Sequence, residues 1–373
     1  MSVVEMADWL LPLLRCPVCS ESLAFESIDG SNAQGLLHHQ AGSCAERYPV
    51  IDGVPRVVVG PARGALLHAR QEWFAQPQAG SFLAEWSKDV SSDPVIAAFD
   101  DEWGRYPDVG TADHSELFAQ YFDLVPAGDF SADKTVLDAG AGAGRWAFEV
   151  SRKGPRVIAV DLGRSIEITR ANTSPERVAC VQADLETLPL AAGSVDWAYS
   201  LGVLHHTRDP EVALARVVAA VRPGGTVLLY LYYALDQRGP LYRGLFRAVD
   251  LTRRFLSRRP RAATRLIATA IALLVYWPLA RSAAILERVG AGALAAKIPL
   301  SFYRHLSFKT MRNDSLDRFG TRRERRYTRA EMIALMRGAG LGDVRISEGV
   351  PFWHGAGSKP SRYGRRPRTE TGM

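Results

Sequence analysis

The chain has 373 residues, 47% apolar and 23% charged, which is enough apolar material for a sizeable core and argues against a wholly disordered chain. Its length suggests about two domains. The formal net charge of +6 is unevenly spread, because residues 240–330 hold 20 Lys/Arg against 5 Asp/Glu and the remainder is net acidic. The basicity therefore belongs to one region. It points to an anionic partner (phosphate-bearing substrate, nucleic acid or anionic lipid) or to a solvated helical face. The four cysteines, Cys16, Cys19, Cys44 and Cys180, do not form a disulfide framework. Glu5 and Asp8 precede any Lys or Arg, and Pro12 breaks the first apolar stretch, so a secretory signal is not expected and the setting is read as cytoplasmic.

Residues 1–60 are short and β-rich, with strand-like runs such as VPRVVV. CPVC at 16–19 is a C-x₂-C knuckle, and Cys44 follows with His38 and His39 nearby. Tetrahedral zinc takes four Cys/His ligands, often as pairs from two turns. The segment resembles the small Trm112-like zinc-ribbon module: LLRCPVC, then a cysteine four residues before YPVIDGVP. That resemblance implies structural zinc on Cys16, Cys19 and Cys44. A second C-x₂-C pair is usual in the module, and Ala41 stands where its other thiolate would be. His39 is expected as the fourth ligand; the alternative is a metal-free module. Residues 61–133 read as a helical linker or cap rich in aromatics.

Residues 134–233 alternate strand and helix. TVLDAG, RVIAVD, VACVQAD, VDWAYSLG and TVLLYLYY are apolar strand runs. RWAFEVSRKG, SIEITRANTS and PEVALARVVAAVRPGG between them have helical periodicity. This alternation predicts a parallel sheet with helices on both faces, where ligands sit at the carboxyl ends of the strands. The first strand runs into LDAGAGAG, residues 137–144, with Gly140, Gly142 and Gly144 at alternate positions. A strand turning sharply into a helix needs residues without a Cβ where a ligand approaches the backbone. The dinucleotide fingerprint asks for glycine where Arg145 stands. Asp138 before the glycines suits a cationic amino-acid moiety better than a pyrophosphate. Asp161 ends the second strand, where a carboxylate can accept from a ribose diol. Asp184 ends the third, and SLGVLHHTRDP follows the fourth. Each of these carboxylates could instead cap a helix.

Together these segments resemble class I S-adenosylmethionine (SAM)-dependent methyltransferases, most closely the type 11 (UbiE-like) subgroup, over about 100 residues. The resemblance implies a Rossmann-like seven-stranded, mostly parallel sheet. It implies that Asp138, Gly140, Gly142 and Gly144 surround the methionine part of SAM. Asp161 would hold the ribose, Leu162 would pack on adenine, and Asp184 with the Leu185 amide would meet the adenine edge. Ser200, Leu201 and Gly202 would line the floor beneath the methyl group. By similarity to fusions of the N-terminal module with such enzymes, including the FDDEW segment at 99–103, Phe99, Trp103 and Tyr106 would cover the pocket; ordinary helix packing is the alternative. His205 and His206 follow the fourth strand, and an unperturbed imidazole near neutrality could take a proton from an acceptor. The alternative is that they pack or bond backbone.

Residues 234–325 read as a basic helical insert. LIATAIALLVYWPLA at 266–280 is uncharged over 15 residues, short of the roughly 20 a span needs, and Pro278 is expected to interrupt it. A transmembrane span is therefore not expected. The segment reads as a lid helix over the acceptor, or, with the preceding RRFLSRRPRAATR, as a peripheral contact with an anionic membrane through 250–280. Residues 326–354 are expected to complete the sheet with an antiparallel hairpin, and 355–373 to form a flexible basic tail. The expected activity is methyl transfer to a small-molecule acceptor, lipid-like or anionic, on oxygen or carbon rather than nitrogen. A nucleic-acid methyltransferase is disfavoured because SLGVLHH stands where an NPPY-like motif would be. A non-catalytic SAM-binding scaffold is disfavoured by the completeness of the cofactor motif.

Overall fold

The computed structural model describes residues 5–39, 44–79, 114–234, 239–320, 323–349 and 353–361. The chain divides into two compact units, Met1–Ala234 with Arg325–Met373, and Leu235–Glu324.

The first unit is built on a seven-stranded sheet. Its strands are β5 (Thr135–Ala139), β6 (Arg156–Asp161), β7 (Val178–Gln182), β8 (Trp197–Leu201), β9 (Thr226–Tyr230), β10 (Gly342–Ile346) and β11 (His354–Ser358), in the order β10-β11-β9-β8-β5-β6-β7. β5 to β9 pair in parallel, while β11 runs antiparallel to both β9 and β10. The fold class expected from the alternation of strand and helix is the one observed. Residues along each strand alternate between two cores. Leu137, Ile158 and Leu229 face one side with Leu214, Val217 and Met336. Val136, Val157 and Leu228 face the other with Phe118, Phe122 and Trp197. Burial on both faces is why these strands read as nearly unbroken apolar runs.

The covering helices start where the sequence supplies caps. The Asp209 carboxylate accepts from the Glu211 and Val212 amides ahead of Pro210–Ala220, with Pro210 in the first turn. Thr328 and Glu331 form a capping box on Arg329–Gly338. The neighbours of β5 are β6 on one side and β8 on the other, so the sheet order reverses there and opens a crevice at the carboxyl ends.

The expected flexible tail from 355 needs correction. Gly355, Ala356 and Gly357 lie inside β11, between β9 and β10. A Cβ on Gly355 would come within 2.5 Å of the Ile346 side chain, so the glycines are what let the strand fit. Lys359 continues the tie, its amide donating to the Gly225 carbonyl and its Nζ to the carbonyls of Ala219 and Val221.

The N-terminal segment forms a small antiparallel sheet, in order β1 (Ala24–Ser27), β2 (Gly35–His38), β3 (Tyr48–Ile51) and β4 (Val54–Pro55). It shares a core with the larger sheet: Leu10, Leu14, Cys16 and Tyr48 pack in the same cluster as Leu137 and Val160. Arg56 bridges Gln182 of β7, and its buried guanidinium donates to the Gln182 side chain and pairs with Glu167.

The second unit is helical, with Pro240–Leu256, Arg261–Ile271, Trp277–Arg288, Gly292–Ala295 and Phe308–Gly320. Pro278 does not interrupt the apolar segment as expected. Ala272–Tyr276 is wound as a π-turn, which joins the helices on either side into one rod. An inserted π-turn is one way a helix carries a proline without stopping. The resulting rod, Ala262–Arg288, is 27 residues long and apolar enough to cross a membrane by length and composition alone.

Candidate active site and metal centre

The carboxyl end of β5 bends through three glycines in the left-handed region, Gly140 (φ 94°), Gly142 (φ 55°) and Gly144 (φ 85°). At Gly140 the constraint is also one of space, because a Cβ there would lie 2.4 Å from the Val203 side chain. Asp161 fastens this turn. Its carboxylate accepts from the Gly142 amide at 2.9 Å, the Gly163 amide at 3.0 Å and the Ser165 hydroxyl at 2.8 Å. The Gly142 carbonyl in turn accepts from Thr169 at 2.7 Å.

Asp138 is buried at the root of the turn, and its Oδ2 has no hydrogen-bond partner. Burial pushes its carboxyl up to about 8, and the Asp161 carboxylate adds to the shift, against the Ala147 amide and the Tyr199 hydroxyl. A buried carboxylate oxygen without a donor is costly unless something supplies one. The backbone around it is stripped of side chains by the glycines. The pair therefore fits a ligand that brings a cationic or N–H-bearing group against exposed backbone, as the amino-acid part of SAM would.

Other expected residues converge on the same edge with more of their valence already used. Asp184 caps Leu185–Thr187 through the Glu186 amide, and its Oδ2 accepts from Arg208 at 3.0 Å. The capping alternative thus describes one of its two oxygens. Ser200 is buried and donates to the Ala139 carbonyl at 2.8 Å, tying β8 to the end of β5. Gly202 (φ 79°) follows Leu201, and its amide donates to the Tyr230 carbonyl. Leu162 packs with Ile51, Val58 and Phe74, so the N-terminal module reaches this edge of the site. Phe99, Trp103 and Tyr106 lie outside the described residues.

His205 differs from the free imidazole expected. It is fully buried, neither ring nitrogen has a hydrogen-bond partner, and its pKa lies well below the ordinary value. Burial is the main cause, with His206 and Arg326 adding unfavourable charge. Its ring lies 4.0 Å from His206 and 4.1 Å from Tyr232. It is therefore a neutral, buried imidazole and a weak base.

Sequence reasoning missed the aromatic wall beside it. Tyr121 meets Trp146 at 5.0 Å and Tyr230 at 5.2 Å, Tyr230 meets Tyr232, and Arg326 lies 5.4 Å over the Tyr232 ring. The tyrosines closing TVLLYLYY were the available signal, since they stand at the carboxyl end of β9.

At the N-terminus, one ligand atom each from Cys16, Cys19, His39 and Cys44 lies within 4.8 Å of all the others. The Cys16–Cys19 turn is closed by the Ser20 amide donating to the Cys16 carbonyl at 2.8 Å, and the Val18 amide points at the Cys16 sulfur. A tetrahedral zinc with bonds of about 2.0–2.3 Å needs ligand atoms a little under 4 Å apart, so the four fit with a small contraction. All four cysteines of the chain are free.

Residues 137–229 match the family described as "Methyltransferase domain". An uncharacterised methyltransferase of Mycobacterium tuberculosis is 32% identical over 121 residues, 32% of this chain and 59% of that protein. The ubiquinone biosynthesis O-methyltransferase of Acinetobacter baylyi is 29% identical over 114 residues, 29% of this chain and 46% of that one. The chain thus spans about three fifths of the length of the first curated relatives it matches. A solved S-adenosylmethionine-dependent methyltransferase from Mesorhizobium loti is 24% identical, covering 35% of this chain and 59% of its own with a TM-score of 0.30. The glycine turn and its carboxylates lie within the segment that matches the methyltransferase domain, residues 137–229.

Proposed function

We propose that the chain is a SAM-dependent methyltransferase that modifies a small molecule, lipid-like or anionic, on oxygen or carbon. The observation that carries the reading is the unpartnered, buried Asp138 carboxylate oxygen beside a turn of three positive-φ glycines. Bound SAM supplies an already activated methyl group, so the protein needs mainly to position, a contribution of about 7–11 kcal/mol at best. Asp138 would hold the ammonium of the methionine part. Asp161 has accepted one donor on Oδ2 and two on Oδ1, which leaves Oδ2 a lone pair for a ribose hydroxyl.

A hydroxyl or activated-carbon acceptor must lose a proton, and the neutral His205, fully buried in the free protein, would have to be uncovered to take it. The Acinetobacter relative is named as an O-methyltransferase, which supports the oxygen reading. Zinc on Cys16, Cys19, His39 and Cys44 is proposed as a structural ion of the N-terminal module.

Calorimetric titration of the full chain with S-adenosylhomocysteine tests the cofactor assignment. Binding is expected for the wild type. Asp161→Ala should weaken it by about 1–3 kcal/mol, because the diol loses its acceptor and the turn its fastening. A folded wild-type protein that takes up no ligand at high micromolar concentration would refute the assignment.

A further inference from the structure

The rod in the second unit is built inside out for a helix in water. Its buried positions are Thr264, Ala268, Ala272, Tyr276, Ala280 and the pair Ala283 and Ala284, recurring every three or four residues. They face Phe308–Gly320, where the Ser315 hydroxyl donates to the Ala268 carbonyl, and a cluster containing Tyr303 and Met311. The opposite face carries Leu266, Leu273, Leu274 and Ile285, with Leu266 73% and Leu274 72% exposed. A helix on a water-soluble core turns its large apolar side chains inward and its small or polar ones outward. Here, Tyr276 apart, the fully buried side chains are small and the most exposed ones are large aliphatics, as where hydrocarbon surrounds a helix and small residues let its neighbours approach.

We infer that this face docks on an anionic lipid bilayer, with the rod lying in the plane of the interface. Charge complementarity selects the partner. Arg258 and Arg259 precede the apolar row and Arg288 follows it, within a segment holding 20 Lys/Arg and 5 Asp/Glu. Leu251 and Phe255 are further exposed apolar side chains of this unit, and the Arg259 guanidinium lies 4.3 Å from the Phe255 ring. An apolar row flanked by arginines matches acyl chains beneath anionic headgroups, which hold such faces about 5–10 Å deep.

Its neighbours argue for lying flat. Phe308–Gly320, packed along the buried face, carries Lys309, Arg312, Asp314 and Arg318, which a spanning rod would drag into hydrocarbon. The inference does not depend on the methyl-transfer reading.

Flotation of the full chain with phosphatidylcholine vesicles, with and without phosphatidylglycerol, tests it. The wild type should float with the anionic vesicles only. Leu273→Asp with Leu274→Asp should cut the bound fraction about tenfold while leaving the melting temperature in place, because both side chains face outward. Wild-type protein that fails to float overturns the inference. Equal flotation of the double variant also overturns it, by showing adsorption through charge alone. A wild-type dimer that this variant dissociates, without vesicle binding, would assign the face to a second copy of the chain instead.

Discussion

Asp138 makes the proposed site pH-sensitive in a definite direction. In the unliganded protein its carboxyl sits near 8, against 3.8 for an ordinary aspartate. A carboxyl raised on folding stabilises the protein fully below its unfolded value and loses that contribution as pH rises through the folded one. Stability of the free protein should therefore decline between about pH 4 and pH 8. An ammonium placed beside the carboxylate favours the ionised form, so binding below pH 8 should release a proton and tighten as pH rises from about 6 to 8. Asp138→Asn should flatten that dependence and weaken binding by about 1.5–3 kcal/mol, the worth of a charged hydrogen bond. Titration with S-adenosylhomocysteine in buffers of different ionisation heat reads both effects. Unchanged pH dependence in Asp138→Asn would remove Asp138 from the account. Asp138 was legible in the sequence because the acid stands two residues before the first glycine. Of the wall of Tyr121, Tyr230, Tyr232 and Arg326, only the pair Tyr230 and Tyr232 was legible, because Tyr121 and Arg326 come from distant segments of the chain.

Among the elements, those with a repeating apolar signal were readable and those without were not. RVIAVD and TVLLYLYY are strands because branched and aromatic side chains fill both faces of a covered sheet. β11 reads HGAGS, with neither alternation nor bulk, and only its neighbours explain it. Gly355 and Gly357 are small because Ile346 and Leu341 stand where their side chains would be. Pro278 misled for the opposite reason: its local rule is strong, and a π-turn outside that rule absorbed it. The strand makes a sharp prediction. Ending the chain after Ser361 should leave the melting temperature within a few degrees, since β11 and the Lys359 contacts remain. Ending it after Trp353 removes a strand paired on both edges and should abolish cooperative folding, as read by thermal melting and near-ultraviolet circular dichroism. A cooperative melt of the shorter chain would show that β11 is dispensable.

For the first unit as a whole, the Cys/His cluster and the sheet share one core. Cys16 packs in the cluster that contains Leu137 and Leu229, and Cys19 and Cys44 border it. Ligand binding stabilises whatever folds with the site. Elemental analysis should therefore find zinc approaching one per chain. Removing it with a chelator should lower the same transition that reports on Trp197 and the sheet, rather than produce a separate early step. A metal-free protein after expression in zinc-supplemented medium would leave the module a metal-free ribbon. The thiols were legible from CPVC and Cys44; that His39 stands beside them follows from its place just after β2.

The order of the strands also sets a timetable. β9 is finished at Tyr230, yet the partner on its outer edge, β11, begins at His354. At about 5–20 residues per second, the intervening segment of about 120 residues takes roughly 6–25 s to synthesise. For that interval the growing chain carries a nearly complete sheet with one bare edge, the kind of surface on which strands from other chains can pair. The helical segment made in the meantime has mainly local contacts and can form within milliseconds. The waiting time therefore falls on the sheet alone, and a ribosome that slows between residues 235 and 353 prolongs it.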